Sequence, residues 1–336
     1  MFDRYPKEVD FILQVLPQAA DLCRQIQSEQ VIEELEKSDR SPVTMADFAS
    51  QAWIAGQLDR QFPEDPLVAE EDSRALRQPQ NKELLVGVVG YLRQRQNRLD
   101  ADQVCRWIDH GNGQPADRYW TLDPIDGTAG FLRRDQWVLA LALIEDGQVV
   151  LGALACPRLN AGMEPIHEGP GSLVIASRDS GCWIAPEGTE DFRQLRVSAR
   201  TQPNQARLLG SVEPSHTDMT MLDRMRDQMG SQTELIKMDS QAKFAMVAAG
   251  QGDIVLRLLS PDRPDYREKI WDQAAGSIVV EEAGGKVTDL EGKPLDFSTG
   301  SLLTNNRGVV VSNGSLHEQV LAALKALGAD REGSAG

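Results

Sequence analysis

Apolar positions recur at helical spacing over residues 44–60, where a stripe from Phe48 to Leu58 follows Thr44, a good N-cap residue. This pattern predicts an amphipathic helix. The run "PLVAEED" comes next, and its short apolar stretch before a group of charges predicts a strand. Residues 76–108 mix apolar and polar positions, and their middle part is predicted to be helical.

Two longer apolar runs occupy residues 137–157 and are joined by Asp146-Gly147, a strong signal for a β-hairpin. Residues 172–186 repeat this arrangement with a second turn. From about residue 200, strand-like and helix-like patterns alternate instead. The chain is therefore predicted to be α/β (α+β), with an α+β domain over residues 1–200 and an α/β domain over residues 201–330.

Charge and composition narrow the classes of partner. The net charge of −16 argues against a nucleic-acid polymer, because phosphate backbones need clustered lysine and arginine. A small phosphorylated substrate remains compatible, since divalent metals can invert the field of an acidic site. No apolar run of about 18 residues is present, so no membrane partner is expected.

Two further features predict a cytoplasmic protein. The first 16 residues contain acidic side chains and a proline, and they are typical of an amphipathic helix and not of a signal peptide. The four cysteines are widely separated without a CxxC pair, so we expect small buried residues and neither disulfides nor zinc ligands.

The segment "YWTLDPIDGTAGF" carries the first candidate chemistry. Pro124 prevents a helix and favours extended backbone at Asp123, whereas Gly127 permits a tight turn after Asp126. Thr128 is expected to cap whatever follows. Both aspartates would then project from a strand end above exposed amides, a suitable place for a hard cation and a phosphate. A turn rich in Asx side chains, without a ligand, is the alternative.

Three more acidic positions can join this pair. Glu70 and Glu71 close the strand "LVA", Asp47 lies in the first turn of its helix, and Asp272 opens a helix in "EKIWDQAAG". Each also has an ordinary explanation, as a solvated charge pair, a partner of the helix dipole or an N-cap. Their joint occurrence at strand ends and helix starts favours a site.

The segments "SPVTMADFASQ", "LVAEED", "WTLDPIDGTAGF", "DSQAKFA" and "EKIWDQAAG" resemble, in this order, the inositol monophosphatase superfamily. They are most similar to its 3'(2'),5'-bisphosphate nucleotidase branch, over residues 40–315. The resemblance implies a layered αβαβα sandwich of the sugar-phosphatase type. It also implies hydrolysis by a water molecule that bound magnesium activates, without a nucleophilic side chain.

The resemblance further implies a role for each matching residue. The implied ligands for two or three magnesium ions are Glu70, Asp123, the main-chain carbonyl of Ile125, Asp126 and Asp272. The implied catalytic residues, which orient and deprotonate water, are Asp47 and Thr128, with Glu70 beside them. The implied contacts to the substrate are Gly127, Thr128, His216, Ser240, Lys243, Arg257 and Asp272. Ser240 and Lys243 are expected on one face of a helix start.

The implied activity is removal of the 3'-phosphate from 3'-phosphoadenosine 5'-phosphate, giving AMP, with sensitivity to lithium and a place in sulfur assimilation. The alternatives are an inositol monophosphatase, a fructose-1,6-bisphosphatase-like sugar phosphatase, or a non-catalytic metal-binding regulator. Ala129 departs from the branch, which often has lysine there, and the segment "LSPDRPDYREKI" is longer than expected. The oligomeric state is left open, with a monomer favoured.

Overall fold

The computed structural model describes residues 2–29, 34–36, 42–212, 218–260 and 263–329. The described helices are α1 (Pro6–Glu29), α2 (Met45–Gln61), α3 (Lys82–Arg95), α4 (Ala101–Asp109), α5 (Thr128–Arg133), α6 (Met219–Met229), α7 (Ala242–Ala248), α8 (Ala274–Glu282) and α9 (His317–Leu327). The strands are β1 (Glu34–Glu36), β2 (Pro42–Thr44), β3 (Leu67–Ala69), β4 (Arg118–Asp126), β5 (Val138–Glu145), β6 (Gln148–Cys156), β7 (Ser172–Ser177), β8 (Gly181–Pro186), β9 (Arg193–Gln194), β10 (Leu208–Gly210), β11 (Ile236–Lys237), β12 (Ile254–Arg257), β13 (Lys286–Thr288) and β14 (Val309–Ser312).

The first large sheet joins strands β3 to β9 in chain order, and only the β3–β4 pair in this order is parallel. Large and small side chains alternate along the middle of β5, and this alternation decides which helices cover each face of the sheet. Leu139, Leu141 and Leu143 belong to the buried cluster that contains α1 and α2, whereas Ala140 and Ala142 face the cluster that contains α7 and α8. In the middle of β5, leucines therefore fill one face and alanines lie on the other.

The small-residue face lets α8 approach the sheet closely. A Cβ atom built on Gly152 of β6 would lie 2.5 Å from Cγ2 of Ile278 on α8. Any larger side chain at this position would push the helix away, and with it the loop in front of α8. The glycine thus sets the distance between two layers.

The second sheet has the order β11-β10-β12-β14-β13. Val255 and Val311 of this sheet pack in the cluster around α7 and α8, while Leu256 and Val310 face α6 and α9. The layers are therefore α1/α2, first sheet, α7/α8, second sheet and α6/α9, which confirms the αβαβα sandwich. The middle cluster draws residues from both parts of the chain, and the division into two domains at residue 200 stays a prediction.

Most of the predicted elements are present. The helix over 44–60, both hairpins and the alternation after residue 200 are confirmed. The N-terminal helix is α1, and all four cysteines are buried with free thiols. No helix in the described ranges is long and apolar enough to cross a membrane.

Three local predictions are wrong. Thr128 does not cap α5; it is the first helical residue, and Gly127 occupies the cap position with φ 89°. Asp272 is not the cap of α8, since the helix begins at Ala274 after Gln273. Ser240 precedes α7 with φ 64°, so Ser240 and Lys243 do not share a helical face.

Candidate active site

Strands β3 and β4 run parallel, so their carboxyl ends meet at one edge of the first sheet. Glu70 follows β3, and its backbone N–H donates to the carbonyl oxygen of Leu122 on β4 at 3.2 Å. Asp123 lies next to Leu122, where the pairing of β4 with β5 becomes irregular between Asp123 and Asp126. The irregularity turns the motif out of the sheet beside Glu70.

The motif is partly held by its own backbone. Ile125 donates its backbone N–H to Oδ1 of Asp123 at 3.1 Å, which is the Asx-type turn considered from the sequence. Asp123 is only 2 % exposed. The Asx turn and a functional carboxylate are therefore compatible, because the turn occupies one carboxylate oxygen.

Asp47 is fixed at the start of α2 by a capping box. Thr44 Oγ1 accepts from the backbone N–H of Ala46 at 3.2 Å, and the Asp47 carboxylate accepts from the backbone N–H of Thr44 at 2.8 Å. The Thr44 hydroxyl also donates to the same carboxylate oxygen at 2.6 Å. The other oxygen of the fully buried Asp47 points to Thr128, whose Oγ1 lies 3.4 Å from Oδ1.

Thr128 therefore connects two parts of the site. Its hydroxyl has two acceptors within reach, Oδ1 of Asp47 at 3.4 Å and the carbonyl oxygen of Ile125 at 3.2 Å. The hydroxyl has one proton and therefore donates to one acceptor at a time. Rotation of the Thr128 hydroxyl can switch this hydrogen bond between Asp47 and Ile125. The predicted pair Asp47 and Thr128 is brought together by the fold.

The acidic motif also contacts the segment in front of α7. A Cβ on Gly127 would lie 3.0 Å from Cβ of Ser240, so these two residues touch. Asp126 accepts a hydrogen bond from the backbone N–H of Gln241 at 2.6 Å. The two segments are more than 110 residues apart in the chain, and this contact joins the first sheet to the α7/α8 layer.

Gln241, which the sequence did not single out, ties the start of α8 into the same site. Its side-chain amide donates to the carbonyl oxygen of Trp271 at 3.0 Å, and its Oε1 accepts from the N–H of Gly276 at 2.8 Å. Asp272 lies directly after Trp271. Gln241 thereby positions Asp126 through its backbone N–H and Asp272 through its side-chain amide.

Negative charge accumulates at the junction. Asp126 and Asp272 keep intermediate solvent exposure, but they lie deep enough among protein atoms for burial to raise the pKa of both carboxyls. The pKa of Asp272 is raised further by the carboxylates of Asp126 and Glu70. Mutual repulsion of this kind requires three carboxylates to be neighbours, and it disfavours their full ionisation without a cation.

The donor set fits a hard divalent cation by its chemistry. Carboxylate and carbonyl oxygens are the ligands that Mg²⁺ prefers, and a bound cation would relieve the repulsion around Asp272. Within the described ranges, no three acidic, histidine or cysteine side chains are close enough as placed to hold one ion. The structure thus brings the candidate ligands to one place without fixing a coordination geometry.

Lys243 is buried, with 4 % exposure, and its Nζ donates to the carbonyl oxygen of Met238 at 3.1 Å. Burial lowers the pKa of Lys243 to about 8, although the carboxylate of Asp126 opposes the shift. The ammonium group is therefore an internal cation beside the acidic motif and not a solvated surface lysine.

Arg257 lies at the end of β12 in an ion pair with Glu268, with Nη2 3.1 Å from Oε2. Burial disfavours the charge of Arg257, but Glu268, Tyr266 and Asp272 together outweigh burial and raise the pKa of Arg257. Glu268 also accepts from Nε2 of Gln273 at 2.9 Å. Sequence reasoning missed Glu268, although it lies inside the segment "EKIWD".

Tyr266 adds an aromatic side chain near Arg257 and Glu268. Cζ of Arg263 lies 4.6 Å from the centre of its ring. Burial raises the pKa of the Tyr266 phenol, with further contributions from Glu268 and Asp272. The segment before Trp271 thus places one aromatic ring beside the charged groups.

Gln51 is a further residue that the sequence did not reveal. Its Nε2 donates to the carbonyl oxygens of Glu71 at 2.5 Å and Ile108 at 2.9 Å, and its Oε1 accepts from the N–H of Glu71 at 3.0 Å. Gln51 is one turn after Asp47, so α2 orients Glu70 through its neighbour. His216 lies outside the described residues.

The layered order and the acidic strand-end site place the chain in a known structural class. It superimposes on the IMPase of Thermotoga maritima with a TM-score of 0.65 at 22 % identity, covering 95 % of this chain and 97 % of that one. The extragenic suppressor protein SuhB of Bartonella henselae gives a TM-score of 0.66 at 22 % identity, covering 94 % and 98 %. The fold is that of these two proteins.

The family is shown by the sequence comparison. The chain belongs to the inositol monophosphatase family, whose model matches residues 8–329. It is 39 % identical to the 3'(2'),5'-bisphosphate nucleotidase of Schizosaccharomyces pombe over 87 % of this chain and 86 % of the relative. It is 37 % identical to 3'(2'),5'-bisphosphate nucleotidase 2 of Candida albicans, over 95 % and 97 %.

These relatives confirm the branch that the motifs indicated, and the chain is an enzyme of a phosphatase family. The family is generally metal-dependent. A small phosphorylated substrate is consistent with it.

Proposed function

We propose that the protein is a magnesium-dependent 3'(2'),5'-bisphosphate nucleotidase that hydrolyses 3'-phosphoadenosine 5'-phosphate to AMP and phosphate. The observation that carries the proposal is the junction of Asp126 with Gln241. It brings an acidic edge of the first sheet against a segment that supplies the Ser240 hydroxyl and the buried Lys243 cation, near the partly buried Arg257 of β12. The names of relatives 36 to 39 % identical over most of the chain support the same activity.

Glu70, Asp123, Asp126, Asp272 and the carbonyl of Ile125 would hold the magnesium ions. When bound, such ions polarise the phosphate, activate water and stabilise the leaving oxygen. The protein's own part is to gather hard oxygen donors at a strand end. The backbone N–H of Gln241 and the capped start of α2 keep those donors in register.

Asp47 and Thr128 orient the attacking water and receive its proton. Asp47 has one oxygen committed to Thr44, which leaves Oδ1 directed to the Thr128 hydroxyl. Once Thr128 donates to Asp47, its oxygen lone pairs can accept a hydrogen bond from water. The buried carboxylate can then take up a proton through Thr128 without a change in its own position.

On the substrate side, Lys243 and Arg257 supply positive charge for a second phosphate, with Ser240 as hydrogen-bonding group and His216 as a further contact. Lys243 would act on that phosphate through its charge, while its Nζ donates to the carbonyl oxygen of Met238 at 3.1 Å. Arg257 is held by Glu268 and has 16 % of its side chain exposed. A bisphosphate would therefore gain more binding free energy from Lys243 and Arg257 than a monophosphate would.

The proposal includes inhibition by lithium, a cation of too little charge in a magnesium position, and a place in sulfur assimilation. The direct test is phosphate release from 3'-phosphoadenosine 5'-phosphate with purified protein, with and without magnesium. Hydrolysis of inositol 1-phosphate or fructose 1,6-bisphosphate at higher kcat/KM would favour the sugar-phosphatase alternative. Failure on all three substrates would favour a non-catalytic regulator.

A further inference from the structure

A cavity of about 450 Å³ lies between the end of α1, the end of α5 and the segment 158–168. Three arginines line it: Arg24 from α1, Arg134 from the cap of α5, and Arg158 after β6. Such a concentration of positive charge is unusual in a chain with net charge −16.

Carboxylates balance only one of these arginines. Arg24 pairs with the buried Glu187 at 2.5 Å. Arg134 and Arg158 have no carboxylate within ion-pair distance among the described residues. Asp21 lines the cavity as well, but it lies 3.2 Å from Nη2 of Arg95 and 3.9 Å from Nη2 of Arg24, which is already paired.

The guanidinium of Arg158 is held in place by neutral groups. Nη1 donates to the carbonyl oxygen of His167 at 2.5 Å, and Nη2 donates to Oε1 of the buried Gln27. Its Nε is buried without a hydrogen-bond partner in the described part of the chain. Burial lowers the pKa of Arg158, and the nearby charges of Arg134 and Arg24 lower it further.

Two guanidinium groups without a carboxylate partner among the described residues, those of Arg134 and Arg158, indicate what the cavity lacks. A tetrahedral dianion would satisfy it, because phosphate and sulfate oxygens accept several charge-assisted hydrogen bonds from arginine. Arg134 is available for this, since among the described residues its side chain makes a single long hydrogen bond, of 3.4 Å, to the carbonyl oxygen of Gln27. The volume is sufficient for one such anion with a few waters.

We propose that this cavity is a second anion site, distinct from the catalytic centre, which binds a tetrahedral dianion such as inorganic phosphate or sulfate through Arg134 and Arg158. The two sites lie at opposite ends of α5. Thr128 begins the helix and Arg134 ends it, about 9 Å away at 1.5 Å per residue. The proposal does not depend on the substrate assigned above.

The test is calorimetric titration of the full-length protein with inorganic phosphate in the presence of EDTA. Without metal, the carboxylates of the catalytic centre repel phosphate, and the arginine variants below distinguish the cavity from the cations Lys243 and Arg257. We expect one-to-one binding with Kd of about 1 mM or below. Sulfate should compete, whereas chloride at equal ionic strength should not.

Three variants locate the binding. Arg158→Gln should weaken phosphate binding about tenfold or more, since it removes a charge-assisted contact. Arg134→Gln should weaken it about threefold, and this exposed residue can be changed without disturbing the core. Glu168→Gln, which removes an exposed carboxylate from the rim, should strengthen binding about twofold.

Arg74→Gln is the matched control, because Arg74 is 88 % exposed and lies outside the cavity lining. Absence of saturable phosphate binding to the wild type would overturn the proposal. Equal affinity in wild type, Arg134→Gln and Arg158→Gln would also overturn it, because the anion would then lie elsewhere. Failure of sulfate to compete would exclude a general site for tetrahedral dianions.

Discussion

The buried ion pair of Arg257 and Glu268 supports a quantitative prediction. The side chains are 16 % and 5 % exposed, and their charged atoms lie 3.1 Å apart. Removing one partner of a buried pair leaves an uncompensated charge and typically costs about 3–5 kcal/mol. Because Arg257 keeps some contact with water, we expect about 3 kcal/mol for either Arg257→Gln or Glu268→Gln.

The double variant should lose much less than the sum of both changes. It replaces the pair by two neutral groups that can hydrogen-bond, so no charge stays buried alone, and a loss of about 1–2 kcal/mol is expected. The coupling energy would then exceed about 3 kcal/mol. The assay is urea unfolding of the wild type, both single variants and the double variant, analysed as a thermodynamic cycle.

The exposed pair of Asp72 and Arg74 provides the control cycle. Its charged atoms lie 2.5 Å apart, but Arg74 is 88 % exposed, so water screens the pair and a coupling energy far below that of the buried pair is expected. If the effects of Arg257→Gln and Glu268→Gln add to within about 0.5 kcal/mol, the buried pair is not formed as described. The support for Arg257 as a fixed cation of the site would then be lost.

Other predictions concern the catalytic residues and two structural positions. Thr128→Val should keep KM and reduce kcat by about 10²-fold or more, whereas a raised KM with unchanged kcat would contradict its role toward water. Asp123→Asn should abolish hydrolysis without lowering the melting temperature in EDTA, since volume is nearly constant; turnover close to wild type at saturating magnesium would refute its role. Burial lowers the pKa of His317 to about 4, so the unfolded chain, with its ordinary value of 6.5, takes up the proton first on acidification. Stability should therefore fall by about 3 kcal/mol between pH 6.5 and 4, and urea titrations of His317→Gln should lack this slope. Gly152→Ala should lower stability by about 1–3 kcal/mol in urea because its Cβ would collide with Ile278, and an unchanged midpoint would show that α8 can move.

Local chemistry made much of the architecture predictable. The alternation of leucine and alanine in β5 and the Asp146-Gly147 turn follow strand periodicity, and Thr44 followed by Asp47 three residues later is a helix-start signature. The layer order required the resemblance, because periodicity does not tell which face of a sheet receives which helix.

The links within the site were not predictable in the same way. Gln51 and Gln241 are ordinary polar residues in sequence, and their roles arise from contacts with segments up to 115 residues away. The expectation for Ser240 failed because α7 begins two residues later than the pattern suggested, and Ser240 adopts a left-handed backbone. The roles implied for Lys243 and Arg257 stay predictions, now with the added information that both are largely enclosed.

The most direct test of the proposed function is a comparison of kcat/KM for three substrates under identical conditions. The substrates are 3'-phosphoadenosine 5'-phosphate, inositol 1-phosphate and fructose 1,6-bisphosphate, each assayed with magnesium, with EDTA and with millimolar lithium. The bisphosphate nucleotide should be hydrolysed with the highest kcat/KM, at its 3'-phosphate, in a reaction that EDTA abolishes and lithium inhibits. A higher kcat/KM for either sugar phosphate, or full activity in EDTA, would contradict the proposal.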